Sequence, residues 1–409
     1  MASRPWLAVA AVLLAAALMG GDWRQFRGSD GTSVSDESGL PASFDLPSGR
    51  NVAWQAALPG RGPSSPIVVR GRVVVTAADG PRQEQLDVLC FDAASGRRLW
   101  QRQLWATGST VVSAFGGVAS PTPASDGRRI FALFSSNDLA CFDLDGNLLW
   151  YRGLGLESPN TRNDVGMACS PLAIGQTVVV QLDNQGEAFV AGLDAASGAD
   201  RWRLPREHDA LWSSPTRLRA APGGEVLLLQ ARTRLSAHDP RTGGQVWDFP
   251  AMVDTISSVT TCGENIYLPA VGLHRLQCQA GGRGVTPLWY QQRLRLDNPS
   301  PVACADGVYF IKPPGILVCC RTSDGHPAWQ LRLRGPIWAT PVLAQRRLYV
   351  VSYEGLVQVV ALGPDVNTAG KIVGGGQLEE GLLASPAVTD GAIFFRSHAH
   401  LWKIAETKR

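Results

Sequence analysis

Three pairs of adjacent polar residues, Asn163-Asp164, Asp297-Asn298 and Glu379-Glu380, carry the oxygen atoms with which this chain could do chemistry. Carboxylate and amide oxygens are the ligands of hard cations such as Ca²⁺. A carboxylate held against a substrate proton is a general base. Asp254, Trp212 and Trp338 stand singly at comparable places, and Arg61 supplies a cation. Turn chemistry competes with this reading, because Asp and Asn side chains cap ordinary turns by accepting backbone N–H groups. Either reading needs these residues on loops, and a loop site needs a rigid framework to gather it.

Other constellations are thinner. His398-x-His400 puts two imidazoles on one face of a strand, with no third ligand near in sequence. Cys319-Cys320 follows the apolar run Gly315-Ile316-Leu317-Val318, so both thiols are expected in a strand, on opposite faces and reduced. The chain has no Cys-x-x-Cys-His for covalent haem, no phosphate loop, no zinc-ligand spacing and no nucleophile elbow.

Composition bounds the rest. Of 409 residues, 45% are hydrophobic and 18% charged, a globular balance. A net charge of +3 leaves no electrostatic footprint for nucleic acid. Arg4 followed by the apolar run from Trp6 to Leu18 reads as an export signal, since a membrane-spanning helix takes about 20 apolar residues. Residues 1–20 are assigned to that signal peptide, with an uncleaved anchor as the alternative and no transmembrane domain once it is removed. Residues 21–50 form a leader. Eight cysteines in an exported chain invite disulfides. However, Cys90, Cys141 and Cys319 or Cys320 recur 9 or 10 residues before a Trp, which places them in separate repeats as buried thiols.

The framework is a repeat. Cys90-Phe91-Asp92-Ala93-Ala94-Ser95-Gly96-Arg97-Arg98-Leu99-Trp100 returns as 192–202 and again as 237–247, giving small-x-Asp-x-x-Ser/Thr-Gly-x-x-x-Trp. A second marker, a small residue followed by Ser/Thr-Pro, begins each unit at Ser65, Ser120, Ser170, Ser214, Ser300, Thr340 and Ser385, with a degraded copy at Ser258. Eight starts spaced 40–55 residues apart, each leading into β-rich runs, predict an all-β, eight-bladed propeller over residues 51–405. Proline suits the innermost strand, whose channel-facing edge has no neighbouring strand. The last unit lacks an outer strand, and Asn51–Leu58 has the texture to supply it and close the ring. Blade 5 lacks the proline, and blade 7 has Lys371-Ile372-Val373 where Trp is expected.

The Trp unit resembles the tryptophan-docking motif of pyrroloquinoline quinone (PQQ)-type eight-bladed propellers. Asp22-Trp23-Arg24-Gln25-Phe26-Arg27-Gly28 resembles a leader segment of exported, planctomycete-type PQQ-like repeat proteins. The resemblance covers about residues 22–405. It implies that Trp100, Trp150, Trp202, Trp247 and Trp329 wedge between blades. Members of that family divide into quinoprotein dehydrogenases and non-enzymatic scaffolds, including an outer-membrane assembly lipoprotein whose lipidated Cys has no counterpart here. The resemblance also supplies the use for the polar loops. An active quinoprotein needs PQQ, Ca²⁺ on oxygen ligands and an Asp base at one channel mouth, and there the weak cofactor-binding candidates are Arg61, Asn163, Asp164, Trp212, Asp254, Asp297, Asn298 and Trp338. The expectation is a monomeric, cofactor-free binding or scaffold module of the periplasm or cell envelope, with no catalytic residue and a protein or glycan partner at the channel-mouth loops. The alternative is a PQQ- and Ca²⁺-dependent dehydrogenase of alcohols or sugars.

Overall fold

A computed structural model describes residues 21–161, 164–220 and 224–407. The signal-peptide assignment lies outside these residues, as does Asn163. Eight small antiparallel sheets form a ring, each running from an inner to an outer strand. Blade 1 extends from Ile67–Val69 to Arg98–Trp105, blade 2 from Ala124–Ser125 to Leu148–Gly153, and blade 3 from Leu172–Ile174 to Asp200–Pro205. Blade 4 extends from Thr216–Ala220 to Gln245–Pro250, blade 5 from Thr260–Cys262 to Val285–Gln291, and blade 6 from Val302–Ala303 to Pro327–Arg332. Blade 7 runs from Val342–Ala344 to Lys371–Gln377. Blade 8 takes its inner strands from Ala387–Thr389, Ala392–Arg396 and His400–Ala405 and its outer strand from Val52–Ala57, which closes the ring with Trp54 opposite Lys403.

The blades are bound at their inner edges by a circle of hydroxyls. The backbone N–H of Ser65 donates to Thr122 Oγ1, that of Thr122 to Ser170 Oγ, Ser170 to Ser214, and Ser214 to Ser258. Ser258 donates to Ser300, Ser300 to Thr340, Thr340 to Ser385, and Ser385 back to Ser65, every bond lying between 2.9 and 3.1 Å. A buried amide without an acceptor is costly, and each such bond contributes about 1 kcal/mol. The repeat marker therefore selects for the hydroxyl as well as for the free strand edge that suits proline. Blade 2 also shifts by two residues. Its ring member is Thr122, followed by Pro123, and the Ser120 hydroxyl instead bonds Gly117 within the preceding loop.

The Trp motif joins each blade to the next. The indole N–H of Trp100 donates to the Leu144 carbonyl at 3.0 Å, Trp150 to Ala195 at 3.2 Å, Trp202 to Pro240 at 3.0 Å and Trp247 to Gly282 at 2.9 Å. Trp54 and Trp289 make the same bond, to Ala93 and Thr322, although neither lies in a full copy of the motif. Each indole covers the turn of the next blade. Gly198, for example, holds a φ of +73° with the Trp150 ring above it. Trp329 packs into the apolar cluster shared by blades 6 and 7. All eight cysteines are free, and Cys319 and Cys320 point into different apolar clusters.

Two irregular blades are completed from elsewhere. In blade 5, Val259 replaces the proline and donates its N–H to Gln230 Oε1 at 2.5 Å. In blade 7, Gly374 occupies the position of the docking Trp, opposite Val359. The leader lies over it, with the Phe44 N–H bonded to the Gly375 carbonyl and the Phe44 ring 6.1 Å from Phe395. A Cβ on Gly376 would meet the Phe44 ring at 2.6 Å, so the glycines clear space for a side chain that replaces the missing indole.

The same leader crosses one end of the channel. Trp23 exchanges two 2.8 Å backbone bonds with Val68 in blade 1. Arg27 reaches blades 4 and 5 on the opposite side, and Val34–Ser35 pairs in parallel with the inner strand of blade 7.

Two outcomes test this architecture. Gly198→Ala should cost about 2–3 kcal/mol by denaturant melting, through its positive φ and a Cβ placed 2.7 Å from the Trp150 ring. Gly175→Ala, at φ +57° with open space around it, should cost only about 1 kcal/mol. The motif carboxylate of Asp194, held by Arg201 and by Ser197 and Ala196 N–H groups, is lowered from 3.8 to about 2. A depressed folded-state pKa gives stability that is complete above 3.8 and lost as pH falls through about 2. Asp194→Asn should flatten the acid limb of the stability profile in that window and leave neutral-pH slope unchanged.

Candidate functional site

The channel contains a cavity of about 350 Å³. All eight ring hydroxyls line it, Phe26 of the leader forms its floor, and the loops preceding the inner strands form its mouth. Ligand pockets of this size usually combine apolar walls with a few placed polar groups. Here the walls are Val112, Phe115, Met167, Trp212, Trp338 and Leu383, and among the described lining residues the one side-chain amide is Asn298.

The loop between blades 1 and 2 roofs part of the mouth. Phe115 stacks on Trp338 across the opening, with centroids 5.5 Å apart and planes 18° apart, and meets Tyr353 edge-on at 6.2 Å. The Ser113 N–H bonds the Val165 carbonyl at 3.0 Å, and Trp212 Nε1 donates to the Gly166 carbonyl at 2.9 Å. Offset stacking of this kind contributes about 1 kcal/mol. Around the roof, Val111, Phe115, Val165 and Ile256 are exposed.

Of the residues singled out in the sequence, Trp212, Asn298 and Trp338 reach this cavity. Asp254 caps a turn, its Oδ1 accepting the Ile256 and Ser257 N–H groups at 2.8 and 2.9 Å. Asp297 accepts the Asn298 N–H at 3.0 Å. Asp164 is exposed, and Arg61 is an exposed residue bridged through its backbone to Ala78. Glu379 is exposed, while Glu380 binds His400 Nδ1 and the Ser397 hydroxyl. His398 receives the Gly62 N–H on Nδ1 at 3.4 Å, so the two histidines have separate partners. Phe26, Phe115 and Tyr353 were not legible as site residues, because only the ring closure brings the leader and distant loops together.

The lining tests the cofactor implied by the fold. PQQ carries several carboxylates, and its Ca²⁺ requires a cluster of oxygen ligands. Among the described lining residues none is ionisable, and Asn298 alone offers a side-chain carboxylate or amide oxygen. Among the described residues no group of three or more His, Cys, Asp or Glu could hold a metal ion. These residues do not fit the cofactor and its cation, so no catalytic step is derived through them.

Comparison with known proteins agrees with the geometry of the ring. Residues 24–187, 160–261 and 283–369 match the family model described as outer membrane protein assembly factor BamB. No curated protein sequence matches the chain. Among solved structures, BamB from Moraxella catarrhalis is similar at 17% identity and a TM-score of 0.62, covering 88% of this chain and 98% of that one. Quinohemoprotein alcohol dehydrogenase from Comamonas testosteroni is similar at 12% identity and a TM-score of 0.67, covering 95% and 81%. A europium-containing methanol dehydrogenase follows at 13% identity and 0.54, covering 93% and 90%. At these identities the likeness is one of fold. With most of the chain matched by that model and eight blades closed into one ring, the protein belongs to the PQQ-like propeller family described by BamB.

Proposed function

We propose that this chain is a non-catalytic binding or scaffold module of the cell envelope, exported by its N-terminal segment and engaging a protein or glycan partner at the loop mouth. One observation carries the reading: the described cavity lining has no ionisable side chain to serve as base, metal ligand or counter-charge for an anionic cofactor. The exposed apolar rim of Val111, Phe115, Val165 and Ile256 supports it, since contiguous apolar surface beside a cavity favours contact with a partner. The match to a family described as an assembly factor is in keeping with this. The structural neighbours include both BamB and dehydrogenases, so the fold by itself does not choose between them. Among the described residues no helix is long and apolar enough to cross a membrane.

Titration of the purified chain with PQQ and Ca²⁺, followed calorimetrically and by dye reduction with simple alcohols and glucose, separates the two. The expected outcome is no heat of binding and no turnover. Saturable, Ca²⁺-dependent heat with dye reduction would establish the dehydrogenase instead.

A further inference from the structure

Arg27 is fully buried in the leader, and no acidic group matches its charge, which lies 5.5 Å from the centre of the Phe26 ring. A guanidinium carries five N–H donors. Here Nη2 alone is engaged, to Thr216 Oγ1 at 3.0 Å and the Val259 carbonyl at 2.8 Å. Nε and Nη1 have no hydrogen-bond partner, and Arg27 forms no ion pair among the described residues. Burial by itself lowers its pKa to about 9, with no acidic neighbour offsetting the loss of solvation. Arg396, the other fully buried arginine without an acid, divides three bonds between Nη1 and Nη2 and leaves only Nε without a partner.

Arg27 also borders a pocket of about 10 Å³ between the leader and the inner strands of blades 3 and 4. Arg217, ion-paired to Glu225 at 3.2 Å, lines the same pocket, as do Gln25, Ser170 and Ser214. Those hydroxyl oxygens already accept inter-blade N–H groups, which leaves their protons available to donate. Among the described side chains lining this pocket none is acidic, and Arg217, Ser170 and Ser214 offer donors beside the unpaired guanidinium, with Gln25 the one amide. The volume corresponds to about one water-sized sphere, so the lining gives by a few tenths of an ångström to admit a halide, and sulfate, phosphate and carboxylates are excluded. A water could accept these donors, but it would bring no charge to a cation removed from solvent.

We propose that this pocket binds one monatomic anion, chloride being the abundant one, held by Arg27 and fastening the leader across the channel end. Because Phe26 is adjacent in the chain and floors the main cavity, the ion also sets the position of that floor.

Thermal melts at constant ionic strength test this, with chloride replacing gluconate from about 5 to about 500 mM. The wild-type Tm should rise by ~3 °C with chloride, and with bromide, relative to Arg27→Met, whereas sulfate in place of gluconate should shift the two proteins equally. Arg27→Met should melt independently of halide. Equal halide slopes in the two proteins would overturn the proposal. Should Arg27→Met fail to fold, crystals of the wild-type chain grown in bromide decide the matter. An anomalous peak within hydrogen-bonding range of Arg27 Nε or Nη1 supports the site, and a peak without anomalous signal, indicating water, removes it.

Discussion

Eight backbone N–H groups face the axis of this molecule at the point where strand pairing gives out, and each needs an acceptor. The neighbouring blade provides it through a Ser or Thr hydroxyl, and the eight bonds close on themselves from Ser385 to Ser65. Because each blade donates to the next, none can move outward or tilt without breaking two bonds. The ring explains why the marker is Ser/Thr rather than any small residue, and why Thr122 displaces Ser120 in blade 2. The Trp motifs act at larger radius, where an indole N–H and a left-handed glycine turn meet across each of several blade interfaces.

Both departures from the repeat meet the leader. Val259 of blade 5 offers its carbonyl to Arg27, and the glycines of blade 7 receive Phe44. A propeller with eight equal blades would present the same edge everywhere and give an incoming segment no preferred seat. Loss of one tryptophan leaves a seat that Phe44 fills, and at the other irregular blade the leader is held by Arg27 on the Val259 carbonyl. The segment thus contributes core, channel floor and blade packing together, which ties residues 21–50 to the integrity of the ring.

The channel chemistry follows from that closure. Polar groups near the axis are largely spent on holding blades together, as with Arg206, which pairs with Asp183 inside blade 3 and donates to the Gln230 carbonyl of blade 4. What remains for a ligand is a belt of hydroxyl protons between an aromatic floor and an apolar mouth. Such a surface suits uncharged or apolar contacts. Among the described lining residues none is ionisable.

Blade number, the order of strands and the borrowed outer strand at Val52–Ala57 are all determined by the sequence, because each depends on local periodicity and turn chemistry repeated eight times. Free thiols at Cys319 and Cys320 on opposite faces of one strand follow from the two-residue alternation of a strand. Asp254 and Asp297 were legible as turn caps or as ligands, and local sequence could not choose, since both uses need the same oxygen at the same loop. Only the tertiary structure decided that Trp212, Asn298 and Trp338 share a cavity with Phe26 and Phe115, residues separated by up to 312 positions along the chain. Phe26 and Phe44 sit in a leader with no blade periodicity, so their roles became definite only when the closed ring offered them a channel end and a glycine-lined gap.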